Sequence, residues 1–145
     1  MAAAGRERPP IDWDSLTFSF TETDRMFVAN GSWEDGWSEG RMVDFQPLNL
    51  SPAACVLNYG QGLFEGMKAR RTPDGKITLF RPEMNARRAA EGARRLVMPE
   101  VSESMFIKAV KKVAEENKRW VPPHGKGELY LRPILFGSSA RLGVS

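Results

Sequence analysis

The chain has one cysteine, one histidine and two tyrosines in 145 residues, and its acidic and basic residues nearly balance at a net charge of +3. Each scarcity excludes something. A single thiol, Cys55, cannot form an internal disulfide, so nothing here is a small disulfide-stapled domain. The one histidine, His124, has no second histidine and no cysteine pair to join, so no zinc site is expected and no metal ligand is assigned. Apolar runs are short, far from the roughly 20 residues that cross a bilayer, and no membrane contact is expected. The first ten residues, Met1-Ala-Ala-Ala-Gly-Arg-Glu-Arg-Pro-Pro10, lack an apolar core and are no secretory signal. They read as a disordered tail of residues 1–11. A cytoplasmic location is expected, with a plastid or mitochondrial transit remnant as the alternative.

What is present is the composition of a globular domain, 41% hydrophobic and 27% charged with eight Phe and four Trp, enough for one core. A short strand is predicted over Thr23–Ala29, with Arg41–Leu48 as its partner and Asn30-Gly31 and Asp35-Gly36 as turns between them. The segment Ala53–Lys68 contains Gly60, Gly62 and Gly66, which argue against a regular helix through its middle. Leu63–Arg71 and Lys76–Phe80 flank Thr72-Pro-Asp-Gly75, a hairpin turn in which proline presets the first angle and glycine tolerates positive φ. A helix is predicted from Pro82 to about Leu96, proline suiting the first helical position. A second runs from Ser102 or Ser104 to Trp120, with Phe106, Ala109, Val110, Val113 and Trp120 at near-helical spacing. Glu128–Gly137 reads as a strand. Helices grouped between antiparallel strands give an α+β domain: an antiparallel sheet with two main helices.

Three features look chemically purposeful. Arg81 precedes Pro82 at a helix start, where the peptide dipoles already place positive partial charge. A cation there is misplaced unless it holds an anion, and with free backbone N–H groups it can form a phosphate or carboxylate site. A solvated arginine paired with a nearby Glu is the competing reading. Arg132 is the second feature. Strand alternation puts Tyr130, Arg132 and Ile134 on one face and Leu129, Leu131 and Leu135 on the other. That arginine either meets solvent or lines a polar pocket, and alternation leaves both open. The third is Gly60–Gly66, whose glycines beside Tyr59 and Phe64 can let backbone approach a ligand, or simply turn and pack. Its Gly-x-Gly-x-x-x-Gly spacing is not a dinucleotide fingerprint. The pairs Arg70-Arg71, Arg87-Arg88 and Arg94-Arg95 lack any accompanying nucleic-acid signature and read as solvated faces, so no nucleic-acid partner is expected.

Several of these residues fall into ordered strings. Leu57-Asn-Tyr-Gly-Gln-Gly-Leu-Phe-Glu-Gly-Met-Lys68, Leu79-Phe-Arg-Pro82, Lys118-Arg-Trp-Val-Pro122, Leu129-Tyr-Leu-Arg-Pro133 and Leu142-Gly-Val-Ser145 resemble the branched-chain amino-acid aminotransferases. Asp12-Trp-Asp-Ser-Leu16 and Thr23-Asp24 look like the plant members. The resemblance begins near residue 11 and covers nearly everything after it. It implies a fold-type IV enzyme that uses pyridoxal 5'-phosphate (PLP) to move an amino group between leucine, isoleucine or valine and 2-oxoglutarate. It also implies that residues 12–145 are the small N-terminal domain, with a larger PLP-holding domain missing, and that the full-length protein is a homodimer.

By the same resemblance Arg81 binds the cofactor phosphate. Tyr59 and Phe64 line the pocket for the branched side chain, with Phe18 as a further wall. Tyr130 and Arg132 lie on the substrate side, Arg132 recognising the distal carboxylate of glutamate or 2-oxoglutarate. The chemistry needs a lysine that bonds the cofactor aldehyde and a carboxylate near the pyridine nitrogen. The resemblance places both downstream of Leu142–Ser145, and no lysine of this chain matches the catalytic one. No catalytic residue is therefore assigned, and the chain is expected to be a truncated, inactive portion. The alternative is a non-catalytic fragment that pairs with full-length subunits.

Overall fold

The computed structural model describes residues 10–142. Most of the expected tail, and Gly143, Val144 and Ser145 of the last string, lie outside the described residues. Strand β1 (Arg25–Val28) pairs antiparallel with β4 (Arg41–Asp44), Arg25 opposite Asp44. Both are shorter than the sequence predicts. Between them β2 (Gly31–Ser32) and β3 (Gly36–Trp37) form a two-residue ribbon. A side chain at Gly31 would run into the Trp37 ring, whose Nε1 donates to the Glu100 carbonyl at 2.9 Å.

The glycine-rich segment contains a helix after all, placed ahead of its glycines: α1 (Cys55–Tyr59) stops at Gly60, whose φ of 65° is the left-handed value that terminates helices. The next two strands depart from expectation in an informative way. Leu63–Arg71 is not continuous but divides into β5 (Gly62–Phe64) and β6 (Met67–Arg71). The late strand divides likewise, into β8 (Leu129–Leu131) and β9 (Ile134–Phe136). Strand β5 pairs with β9, while β6 lies between β8 and β7 (Ile77–Leu79), all antiparallel. The breaks fall at Glu65-Gly66 and Arg132-Pro133. Proline has no N–H to give a ladder, and the Glu65 side chain is drawn into the interior. The two breaks face each other, the Glu65 N–H donating to the Pro133 carbonyl at 2.9 Å.

Helix α2 (Pro82–Arg95) begins at the predicted proline, and α3 (Glu103–Glu116) is capped by Ser102, whose hydroxyl accepts the Met105 N–H at 3.2 Å. Trp120 belongs not to α3 but to a short 3-10 turn, Lys118–Trp120. Asn117 ends the helix between them and is 1% exposed. Its side chain accepts the N–H groups of Asp24 and Arg25 and donates to the Arg25 and Val113 carbonyls, so one amide ties α3 to β1. Ala86, Ala89 and Ala93 of α2 are buried, as are Phe106, Val110 and Ala114 of α3. The two sets recur at helical spacing. Most of them join Met67, Ala69, Leu131 and Val121 in the core, and the alanines let α2 approach the sheet closely. The fold class is the expected α+β, built among the described residues from several small antiparallel sheets and two long helices.

Candidate functional site

Arg81 is the residue that turns the chain from β7 into α2. It sits at the cap position with φ 46° and ψ 52°, a left-handed conformation that an L-residue adopts at a cost of about 1–2 kcal/mol. Pro82 follows as the first helical residue. The Arg81 side chain is 59% exposed, and among the described residues its ion-pair partner is Glu83, at 3.6 Å. That pair is long and solvated, worth about 0–1 kcal/mol. It leaves most of the guanidinium's donors open for a ligand at the positive end of a 14-residue helix. A doubly charged phosphate ester fits this arrangement.

A second cluster stands on the junction of the two sheets. The Arg132 guanidinium carbon lies 4.3 Å from the centre of the Phe64 ring and 5.2 Å from that of Tyr130. Its Nη2 donates to the Tyr130 hydroxyl at 3.2 Å. Phe64, Tyr130 and Ile134 are 51–64% exposed, with Ile134 opposite Phe64 across β5 and β9. Tyr130, Arg132 and Ile134 thus share the outer face, as strand alternation predicts, while Leu131 is buried below. The Tyr130 hydroxyl rests over Gly66, where an added side chain would have to push the Tyr130 ring aside. The cluster is an apolar wall carrying one flat cation, held by stacking and one hydrogen bond. Tyr59 ends α1 and is half exposed, and no ring contact joins it to the cluster among the described residues. Phe18 is fully exposed, in the irregular segment before β1.

Sequence reasoning missed the group beneath this wall. Glu65 is 7% exposed, and its carboxylate accepts from Arg88 at 2.6 and 3.0 Å and from the Asn85 amide at 2.7 Å. Asn85 also donates to the Gly66 carbonyl at 3.1 Å. Burial pushes the Glu65 carboxyl up, but the Arg88 and Asn85 hydrogen bonds, the Arg88 charge and the Gly66 backbone outweigh it and hold it below its usual range. Arg88 is 62% exposed, on a solvated face as expected, yet its guanidinium holds a buried carboxylate. The one available signal was an acidic residue inside the otherwise apolar and glycine-rich string Gly62–Met67. Its neighbours Arg87 and Arg94 do pair on the surface, with Glu103 and Glu100.

Among the described residues no group of three or more His, Cys, Asp or Glu side chains could hold a metal ion. No helix there is long and apolar enough to cross a membrane. His124 has its Nδ1 at 3.0 Å from the Arg71 carbonyl.

No family model matches the chain. Individual proteins do. Over 139 residues, 96% of this chain, it is 50% identical to the mitochondrial branched-chain-amino-acid aminotransferase 1 of Arabidopsis thaliana and 51% identical to the chloroplastic branched-chain amino acid aminotransferase 2 of Humulus lupulus. Both of these relatives are plant branched-chain aminotransferases. A methionine aminotransferase of Arabidopsis thaliana, BCAT4, is 52% identical over 133 residues, 92% of this chain. The chain spans just over a third of the length of these relatives, 38% of the methionine aminotransferase, 36% of the mitochondrial enzyme and 34% of the hop enzyme.

Among solved structures, the branched-chain aminotransferase of Thermoproteus uzoniensis with norvaline matches 86% of this chain and 36% of its own at a TM-score of 0.64 and 22% identity. That of Thermobaculum terrenum in its PLP-form matches 79% and 33% at 0.57 and 18%. At such identity the likeness speaks for the fold, which is that of one part of the branched-chain aminotransferase structures.

Proposed function

We propose that residues 12–145 are the small N-terminal domain of a PLP-dependent branched-chain aminotransferase, which is a homodimer when complete and carries its catalytic lysine in a second, larger domain. The observation that carries this reading is the 50% identity to a branched-chain aminotransferase across 96% of the chain. Arg81 holds the cofactor phosphate, a role that accounts for a strained, exposed cation at a helix N-terminus. When bound, PLP supplies the electron-withdrawing ring that makes the Cα proton of the amino acid removable.

The remaining residues of this chain select the substrate. Phe64 and Tyr59, with Phe18 as a further wall, exclude water from a branched side chain. Arg132 must tolerate that apolar side chain in one half-reaction and grip the distal carboxylate of 2-oxoglutarate in the other. Its present contacts support this double duty. With no acid in the pocket it keeps the Phe64 stack and the Tyr130 hydrogen bond, so its charge is never left bare. When an acid enters, a guanidinium can pair two of its N–H groups with the carboxylate. The organelle forms among the relatives favour a plastid or mitochondrion over the cytoplasm.

The test is a chimera in which this chain replaces the matching third of the hop enzyme. Amino transfer from leucine to 2-oxoglutarate in the presence of PLP is the expected result, with methionine included as donor because of the 52% identical relative. A chimera that folds and binds PLP yet transfers from none of the branched-chain amino acids defeats the reading. The 145-residue chain alone should form no 2-oxo acid from leucine.

A further inference from the structure

We propose that Glu65 is a positioning residue for the wall formed by Phe64, Tyr130 and Arg132: by clamping the junction of the two sheets onto helix α2, it sets the geometry in which Arg132 stacks on Phe64. The proposal rests on the reading of that wall as a substrate surface, and it adds the device that holds the wall.

Two strand breaks meet at this junction. At Glu65-Gly66 one strand leaves the β5–β9 sheet and joins β6, and at Arg132-Pro133 its neighbour passes between the same two sheets. Phe64 and Gly66 flank Glu65 directly, and Arg132 precedes the proline that accepts the Glu65 N–H. A small rotation at this junction would therefore turn Phe64 away from Arg132 and move the backbone on which the Tyr130 hydroxyl rests. The ladders stop on either side of the junction, and across it the bond from the Glu65 N–H to the Pro133 carbonyl fixes a distance more than an orientation. The Glu65 carboxylate does oppose the rotation, held by Nε and Nη2 of Arg88 and by the Asn85 amide that also holds the Gly66 carbonyl.

Stability alone is a poor reason for this arrangement. Burying a carboxylate is costly, and a well-packed apolar side chain would serve the core as well or better. A bidentate pair fixes orientation as well as distance, which an apolar side chain does not. The clamp also reaches the other candidate residue: Asn85 stands four positions after Arg81, one helical turn along α2. The first turn of α2 is thus tied to the same junction, so one carboxylate relates the proposed phosphate cation to the proposed substrate wall.

The experiment uses the 145-residue chain with 15N-labelled arginine and reads the Arg132 Nε–H resonance, which the Phe64 ring displaces upfield. No ligand is added, so the outcome is independent of whether the aminotransferase reading holds; the chimera's donor profile judges that reading separately. In Glu65→Gln the upfield displacement should be mostly lost while thermal melting stays cooperative. Ser102→Ala, which removes an α3 cap whose hydroxyl bonds Met105 and Ser104 rather than Glu65, Asn85 or Arg88, should lower the melting temperature and leave the resonance in place. Where Glu65→Gln does not fold, Arg88→Lys is read instead: it keeps the charge without the paired N–H geometry and should lose part of the displacement. An unchanged Arg132 resonance in the folded variant overturns the proposal. So does a loss that follows melting temperature equally in Ser102→Ala, since that describes a merely structural role.

Discussion

Replacing Arg81 with glycine separates the strain of the loop from its use. At φ 46° and ψ 52° an arginine pays about 1–2 kcal/mol that glycine does not. Against this, glycine loses about 0.5–1 kcal/mol more backbone entropy on folding. The ion pair to Glu83, 3.6 Å long on a 59% exposed side chain, contributes about 0–1 kcal/mol. Removing a cation from the helix N-terminus returns a few tenths. The terms centre on about 0.5 kcal/mol stabilising, within limits of about 0.7 destabilising and about 1.8 stabilising, read as an unchanged or slightly raised melting temperature of the 145-residue chain. Phosphate binding should move the other way. Losing charge-assisted hydrogen bonds of about 1.5–3 kcal/mol weakens PLP binding roughly 10- to 100-fold, measured by absorbance titration of the chimera. A glycine variant destabilised by more than about 1 kcal/mol refutes the strain argument. Unchanged PLP affinity refutes the phosphate role.

Three further outcomes are expected. Asn117→Ala removes the side-chain acceptor of the Asp24 and Arg25 N–H groups; both bonds are part-buried, so at the low end of about 1–3 kcal/mol for each urea denaturation should show a loss of about 2 kcal/mol, and a loss under about 1 would mean that solvent reaches the gap. Val97 has φ 52° and ends α2 by giving its N–H to the Arg94 carbonyl while Met98 gives its own to Ala93, a place where glycine is the usual residue; Val97→Gly should stabilise the chain by about 1 kcal/mol, and any destabilisation in a thermal melt contradicts this. Glu65 is held below its usual pKa in the folded state, so its stabilisation is present above the unfolded carboxylate value of about 4.3 and is lost as pH falls through the lower folded value. The stability gap between the native chain and Glu65→Gln should therefore shrink on acidification from pH 5, and a gap that stays constant down to pH 2 shows that the carboxylate charge contributes nothing.

Much of the local structure was legible because its causes lie within a few residues. Pro82 started α2 and Ser102 capped α3 where the sequence placed them. The Thr72–Gly75 turn formed between its two strands, with Gly75 at φ 85°. The outward alternation of Tyr130, Arg132 and Ile134 also survived, since side-chain period depends only on extended backbone. The ordered strings carried the family resemblance without any structure. Continuity of the strands was read wrongly: Pro133 marks one break locally within Glu128–Gly137, whereas the break in Leu63–Arg71 comes with the burial of the Glu65 side chain, which only the fold decides.

What the sequence determined by itself, then, was the kind of element at most places, the two long helices above all, with the resemblance to branched-chain aminotransferases and the candidates Arg81 and Arg132. Tertiary structure alone decided that Arg132 stacks on Phe64 rather than standing free in solvent, and that Glu65 is bound by Arg88, 23 residues away. The physical reason is one of range. Backbone preferences act over a turn or two of chain, whereas a buried carboxylate needs whichever cation the folded chain brings within hydrogen-bond distance.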